Sequence, residues 1–173
     1  MIIQKAHTSD VDRIVSFYEV LTEKLAKSGY DLPWRVGIYP TREQFETAVA
    51  RQSLYLCTEQ DTIIGAAILN HEQGDGYDTV KWECTPDPDE IAVVHLLCTD
   101  PDLHRCGIGT RMIDHLIREA KASGIKSLRL DVLYYNKPAA KLYEKAGFSK
   151  RGEVQLCYAT TGLAEFWLYE LVL

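Results

Sequence analysis

Long apolar runs and paired cysteines are both missing from this chain of 173 residues. No stretch approaches the ~20 consecutive apolar residues that a membrane-spanning helix needs. The start, MIIQKAHTSD, lacks the basic flank and apolar core of a secretory signal. The five cysteines form no CxxC pair, so neither a disulfide framework nor a zinc site is predicted. We therefore expect a cytoplasmic protein that binds no metal and no membrane.

An excess of basic charge is also missing. The chain has 19 Lys and Arg against 25 Asp and Glu, a formal net charge of −6. A nucleic-acid-binding surface is expected to be basic, so the composition argues against a nucleic-acid partner. It is compatible with a cationic substrate such as an amine. The length, the 46% hydrophobic content and the lack of repeats or linkers predict one globular domain over residues 1–173.

Hydrophobic periodicity and turn residues predict helices and strands in the order β-α-α-β-β-β-α-β-α-β-β. Strands are expected at 2–6, 54–58, 62–69, 91–98, 128–133, 148–156 and 162–173, and helices at 11–28, 41–51, 107–123 and 138–146. Residues 79–84 are a further candidate strand. This order predicts a mixed sheet with helices on both faces, and 91–133 is typical of a strand–helix–strand crossover.

The segment 91–109, IAVVHLLCTDPDLHRCGIG, carries the strongest functional signal. An apolar strand ends in a polar turn, and Gly107 and Gly109 open the next helix. The first N–H groups of a helix have no intrahelical partner, and glycine lets a phosphate approach the backbone. We predict a phosphorylated ligand, although the glycines also fit a simple tight turn. A Walker A motif is absent, and a dinucleotide fingerprint would need glycine at Met112.

A second motif follows this turn. The turn is PDLHRCGIG at 101–109, and the segment 130–148 reads LDVLYYNKPAAKLYEKAGF. Together they resemble the GNAT superfamily of acyl-CoA-dependent N-acyltransferases, which share an [RQ]xxGx[GA] turn and an NxxAxxLYxxxGF helix. The resemblance implies an α/β (α+β mixed) fold with a mostly antiparallel sheet, acetyl-CoA as cofactor, and acetyl transfer to a primary amine by direct attack in a ternary complex. His104 departs from the pattern, because the family has Arg or Gln there.

The resemblance also implies which residues hold coenzyme A. Backbone N–H groups of 105–110 would bind the pyrophosphate, the strand edge at 97–99 would pair with the pantetheine arm, and Asn136 would contact that arm. Tyr143 would protonate the departing thiolate as general acid. The implied cofactor-binding residues are Leu97, Cys98, Thr99, His104, Arg105, Cys106, Gly107, Ile108, Gly109, Thr110, Asn136 and Tyr143. On spacing alone, the strand residues and Tyr143 also fit core positions, and Asn136 also fits a turn.

An amine acceptor must lose a proton, so a carboxylate or an imidazole is needed near the central strand. His95, a polar residue within the apolar run IAVVHLLC, is the first candidate base, followed by Glu83 and Glu90. Each has an ordinary alternative, because a strand histidine is commonly a satisfied core residue and the glutamates fit an exposed surface. Asp131 is interpreted as a structural partner of Arg129.

The acceptor pocket is expected in the aromatic loop before the second helix. Trp34, Arg35 and Tyr39 are its candidate residues, with Trp82 and Tyr135 as weaker ones. Aromatic side chains and the absence of a basic patch favour a small-molecule amine. The alternatives are a protein or peptide N-acetyltransferase and a CoA-binding sensor without turnover. The C-terminal strands are a plausible homodimer interface.

Overall fold

The computed structural model describes residues 1–28, 32, 34–103, 105–158 and 162–173. Within them, the strands and helices follow the predicted order, each within two residues of its expected ends. The strands are β1 (Ile2–Lys5), β2 (Leu54–Glu59), β3 (Thr62–Asn70), β4 (Ile91–Thr99), β5 (Ser127–Leu133), β6 (Ser149–Tyr158) and β7 (Gly162–Val172). The helices are α1 (Val11–Lys27), α2 (Arg42–Ala50), α3 (Ile108–Ala122) and α4 (Lys137–Lys145).

The strands form one sheet in the order β1-β2-β3-β4-β5-β7-β6. Neighbouring strands are antiparallel except β4 and β5, which are parallel. Buried side chains of α3 and α4 pack in one hydrophobic cluster, and those of α1 and α2 pack in another. The expected mixed, mostly antiparallel sheet with helices on both faces is therefore confirmed.

Local sequence signals set the helix ends. Thr41 and Gln44 form the capping box of α2, with side chain and backbone bonded reciprocally at 3.2 and 2.8 Å. Gly107 has a φ of +75° immediately before α3, a left-handed conformation that glycine adopts without strain. Asn136 caps α4 by accepting a hydrogen bond from the Ala139 N–H at 3.3 Å. None of the described helices is long and apolar enough to span a bilayer.

Strands β4 and β5 pair only over their first three residues. Residues 91–93 lie opposite 127–129, and beyond them β4 pairs with β3 alone. The β3–β4 register shifts between Ala66 and Ile68, and Leu96 at this irregularity has a φ of +53°. These are the features of a β-bulge. Because pairing with β5 ends at Val93, the edge of β4 that faces β5 is unpaired over the last residues of β4.

The expectation of a strand at 79–84 is wrong. A 3-10 turn at Tyr77–Thr79 is followed by irregular backbone. The neighbouring strands β3 and β4 each have partners on both sides near this segment, so no sheet edge is available to it. Tyr77 packs instead on Val93 and Leu168, and its carbonyl accepts a hydrogen bond from the Trp82 indole at 2.7 Å. The segment covers part of one sheet face.

Candidate functional site

A cleft opens where the pairing of β4 with β5 stops. Its volume is about 1290 Å³, larger than the ~300–1,000 Å³ of pockets that hold one drug-sized ligand. The turn before α3 lines one part, residues of 34–51 line another, and the last residues of β4 and part of β5 also border it. Among the described residues, no group of three or more His, Cys, Asp or Glu could hold a metal ion. The cleft has room for an extended cofactor and a second substrate.

The turn at 105–110 borders this cleft, and within it the Cys106 N–H donates to the Leu103 carbonyl at 3.3 Å. The Arg111 N–H donates to the Gly107 carbonyl at 3.0 Å, so the N–H groups of 108–110 precede the first helical bond of α3. A Cβ added at Gly107 would meet no atom within 4 Å, which leaves the backbone open to a ligand. All six residues of the turn line the cleft, while His104 lies outside the described residues. The turn therefore fits an anionic group such as a phosphate.

The last three residues of β4 border the cleft. Cys98 and Thr99 pair on one side with Ala66 and Gly65 of β3, and pairing with β5 has ended before them. Burial raises the pKa of the Cys98 thiol to about 12, so this thiol stays protonated at neutral pH. Leu97 also lines the cleft. The free backbone edge of residues 97–99 could pair with an amide-bearing ligand, which would extend the sheet by strand addition.

Helix α4 brings both of its predicted residues to the cleft. Tyr143 is 6% exposed, and its ring packs beside Phe148. Burial, with a smaller contribution from the Asp131 carboxylate, raises the pKa of the Tyr143 hydroxyl. The hydroxyl therefore keeps its proton at neutral pH and can donate it. Asn136 has the structural role of a helix cap and also lines the cleft.

His95 borders the cleft from β4, just before the bulge. Its Nε2 lies 3.0 Å from Asn70 Oδ1 and 2.9 Å from the Glu72 carbonyl oxygen. Because Asn70 Oδ1 also accepts from the Glu72 N–H at 2.9 Å, both neighbours of Nε2 are acceptors and Nε2 carries the hydrogen. Burial lowers the pKa of His95, and the Asp131 carboxylate opposes this shift. The ring is therefore neutral at neutral pH, with Nδ1 as its basic nitrogen.

The expected pairing of Asp131 with Arg129 is wrong, and Asp131 borders the cleft. Arg129 pairs with Glu170 at 3.5 Å and not with Asp131. The negative charge of Asp131 raises the pKa of His95. Asp131 lines the cleft, and its carboxylate accepts a hydrogen bond from the Tyr77 hydroxyl at 2.9 Å. Burial raises its pKa. A sequence signal could have identified Asp131 as a cleft residue. It is an acidic residue in the second half of β5, and the parallel strand β4 leads into the turn at 105–110.

Two of the three aromatic-loop candidates border the cleft, namely Trp34 and Tyr39. Trp34 packs edge-on against Tyr18 with ring centroids 6.0 Å apart, and burial raises the pKa of Tyr39 to about 12. Arg35 does not line the cleft. Its Nη1 donates to the carbonyls of Leu32 and Trp34 at 2.8 and 2.7 Å, so it braces the loop instead.

The two glutamates proposed as bases lie away from the cleft. Glu83 forms an ion pair with Arg151, and its N–H donates to Glu170 Oε2 at 2.7 Å, near the beginning of β5. Glu90 forms an ion pair with Lys126 at 2.6 Å. Of the candidate bases, the structure thus brings only His95 to the cleft.

The weaker acceptor candidates also lie elsewhere. Trp82 stacks on the Arg129 guanidinium, whose central carbon is 4.1 Å from the ring centroid. Tyr135 is 38% exposed and packs against Tyr134 with ring centroids 5.3 Å apart. Neither borders the cleft. The prediction failed because loop composition does not show in which direction a side chain points.

Comparisons with known proteins agree with this geometry. The model of the acetyltransferase (GNAT) family matches residues 16–148. Ribosomal protein bS18-alanine N-acetyltransferase of Escherichia coli is 36% identical over 70 residues, which cover 40% of this chain and 47% of that protein. The chain thus spans about half the length of the curated relatives it matches.

Two solved structures align over nearly the whole chain. A Staphylococcus aureus Mu50 protein described as a candidate acetyltransferase has a TM-score of 0.71 and 26% identity, over 99% of both chains. A Salmonella typhimurium protein solved with its cofactor acetyl-CoA has a TM-score of 0.73 and 14% identity, over 99% of this chain and 93% of its own. At that identity the second likeness shows the fold alone.

Proposed function

Since the chain belongs to the acetyltransferase (GNAT) family, we propose that it transfers the acetyl group of acetyl-CoA to a primary amine. One observation carries this proposal. The turn at 105–110, the open edge of β4, His95 and Asp131 all border one cleft. A cofactor anchored by its phosphates at the turn could therefore extend along β4 towards a proton-accepting pair.

The chain's own residues supply the cofactor contacts. Backbone N–H groups of 107–110 would hold the pyrophosphate, because the Cys106 N–H already donates to the Leu103 carbonyl at 3.3 Å. Arg105 would add a positive charge beside it. The edge at 97–99 would pair with the amide groups of the pantetheine arm. Bound acetyl-CoA supplies a thioester with an electrophilic acyl carbon. The match of residues 16–148 to the acetyltransferase (GNAT) family supports this choice of cofactor.

Proton movement would be divided between two sides of the cleft. As the amine attacks, a C–N bond forms, the C–S bond breaks, and the amine nitrogen loses one proton. The proton goes to the His95–Asp131 pair, with Nδ1 of His95 as acceptor and the Asp131 carboxylate stabilising the resulting imidazolium. Tyr143 donates one proton to the departing thiolate. An acceptor that arrives as an ammonium ion first releases one proton to solvent. After the transfer, the His95 imidazolium returns its proton to solvent and the Tyr143 phenolate regains one, so the protons balance without a covalent enzyme intermediate.

The acceptor that we propose is a small-molecule primary amine. Trp34 and Tyr39 border the cleft and offer aromatic surface, while the buried Asp131 carboxylate would attract an ammonium group. A peptide N-terminus is the second candidate. It is favoured by the relative from Escherichia coli, whose name specifies an alanine of a ribosomal protein as its substrate.

The first test is calorimetric titration with acetyl-CoA, with NAD and ATP as controls. We expect micromolar binding of acetyl-CoA alone, followed by thiol release when amines are added. No binding of acetyl-CoA would overturn the proposal. Thiol release with an alanine-starting peptide and with no small amine would favour the second acceptor. Binding with no thiol release from any acceptor would favour a sensor.

A further inference from the structure

A buried tyrosine outside the cleft contacts the central strand at its irregular point. Tyr18 of α1 is fully buried, and its hydroxyl donates a hydrogen bond to the Leu96 carbonyl at 2.8 Å. Tyr18 does not border the cleft. Because α1 packs on the face of the sheet, this carbonyl of β4 is directed towards a helix and not towards a neighbouring strand.

The bonded carbonyl belongs to a strained residue. Leu96 and Leu97 of β4 lie together opposite the single β3 residue Ala67. Leu96 has a φ of +53°, which is unfavourable for a residue with a Cβ atom and persists only where the surroundings hold it. A buried carbonyl without a partner is also unfavourable. The Tyr18 hydroxyl supplies the hydrogen bond that the Leu96 carbonyl needs, at the residue where the backbone is strained.

The bulge separates the two parts of β4 that the proposed function uses. His95 comes immediately before it, and the edge at 97–99 comes immediately after Leu96. A change of one residue in register would reverse the direction of every following side chain and shift every following backbone N–H. The placement of the open edge relative to His95 therefore depends on the bulge.

The surroundings of Tyr18 keep its hydroxyl a hydrogen-bond donor. Burial raises its pKa well above the ordinary value, and the neighbouring Cys98 and Tyr39 act in the same direction. The hydroxyl also lies beside the Cys98 thiol, so it contacts β4 at the bulge and just after it. Its ring is held by Phe45, with centroids 4.8 Å apart.

We propose that Tyr18 is a positioning residue for acetyl transfer. Its hydroxyl holds the Leu96 carbonyl and so keeps the edge of β4 in the register that meets the acetyl end of the cofactor. This inference rests on the proposed function, because the edge matters only if the cofactor binds along it. Tyr18 acts through the backbone of β4 and touches neither substrate.

The variant Tyr18→Phe removes one hydroxyl and keeps the ring. We expect kcat to fall by at least about tenfold, while the Kd for coenzyme A, which is set mainly by the turn at 105–110, stays within about twofold. The matched control is Tyr55→Phe. Tyr55 is 4% exposed, and its hydroxyl bonds Glu119 at 3.2 Å, away from β4. This control should lose stability without losing kcat.

A rescue experiment separates positioning from general stability. Glycine adopts a positive φ without strain, so adding Leu96→Gly to Tyr18→Phe should restore part of kcat although it removes a core side chain. If Tyr18→Phe unfolds easily, the assays are run cold with saturating acetyl-CoA, which stabilises the folded state by mass action. Wild-type kcat in Tyr18→Phe, or no rescue in the double variant, would overturn the inference alone. Absence of turnover in the wild type would overturn the proposed function as well.

Discussion

The two ends of the parallel pair β4 and β5 differ in backbone pairing and in whether the buried charges have partners. At the first end the strands pair, and buried Glu170 accepts a hydrogen bond from Ser127 at 2.7 Å while lying 3.5 Å from Arg129. At the second end pairing has stopped and Leu96 is strained. There, no Lys or Arg of the described chain forms an ion pair with Asp131.

This difference separates stability from activity along the same two strands. A buried charge with its partners in place resists change, because removing one partner leaves the other uncompensated. A buried carboxylate beside a cleft can instead attract a cation or take part in proton transfer. Variants at the paired end should therefore alter the free energy of unfolding, and variants at the open end should alter binding and turnover.

The largest expected effect is at the paired end. Glu170→Gln removes the charge that compensates Arg129 and should cost about 3–5 kcal/mol of unfolding free energy, measured by urea denaturation. The Kd for acetyl-CoA of the folded fraction should not change. The control is Glu90→Gln, which breaks the solvent-screened ion pair with Lys126 and should leave the urea midpoint nearly unaltered. A Glu170→Gln protein as stable as the wild type would contradict the comparison.

The next effect is at the open end. Asp131→Asn should lower kcat by about 100-fold, because the imidazolium of His95 loses its stabilising charge. Removing a buried charge of raised pKa should not reduce stability, and the Kd for acetyl-CoA should stay within about twofold. Asp78→Asn, an equal charge change at an exposed residue outside the cleft, serves as control. Equal kcat in the two variants would remove Asp131 from the mechanism.

Two glycines give a matched pair at the two ends of one helix. Gly107 and Gly124 flank α3 with φ of +75° and +78°, and an added Cβ would meet nothing within 4 Å at either. Valine at both positions should cause similar backbone strain. Only Gly107→Val should raise the Kd for acetyl-CoA, by at least about tenfold or ~1.4 kcal/mol, as measured by calorimetry. Equal affinities would mean that the turn does not hold the cofactor.

The smallest effect concerns pH. Because burial lowers the pKa of His95 below its ordinary 6.5, the acid limb of kcat/KM should lie below pH 6.5. A folded-state pKa below the unfolded one also means that the stability contributed by this histidine is present above pH 6.5 and lost as the pH falls through the folded value.

The charged groups that face His95 set the direction of the mutational test. The Asp131 and Glu72 carboxylates both raise the pKa of His95, so Asp131→Asn should move the acid limb of kcat/KM to still lower pH. Asp78→Asn should leave the limb in place. A limb that moves to higher pH in Asp131→Asn would show that another group titrates.

The sequence predicted the elements well because their signals are local. Thr41 with Gln44, and Gly107 before α3, specify helix ends through hydrogen bonds and dihedral angles within a few residues. The same holds for the phosphate turn, whose backbone N–H groups depend only on where α3 begins. The prediction of a strand at 79–84 failed because a strand also needs a free sheet edge.

The site was predicted less completely, because it joins residues that are distant in the chain. Glu83 was a reasonable base by composition, yet it pairs with Arg151 near the beginning of β5. Asp131 was expected to pair with Arg129 because the two are close in sequence, whereas in the sheet Arg129 pairs with Glu170. Which face a side chain occupies, and which charge it meets there, depends on register and on neighbouring strands.

Periodicity, caps and glycine dihedral angles act over short range. The order of the elements, the turn at 105–110 and the family resemblance could therefore be predicted from the residues alone. Packing of distant segments decided where β4 and β5 part, that the Tyr18 hydroxyl bonds the Leu96 carbonyl at the bulge, and that Asp131 and His95 border one cleft. Strand register and burial are properties of the packed sheet. They determine which buried polar groups have hydrogen-bond or ionic partners and which remain available for binding or proton transfer.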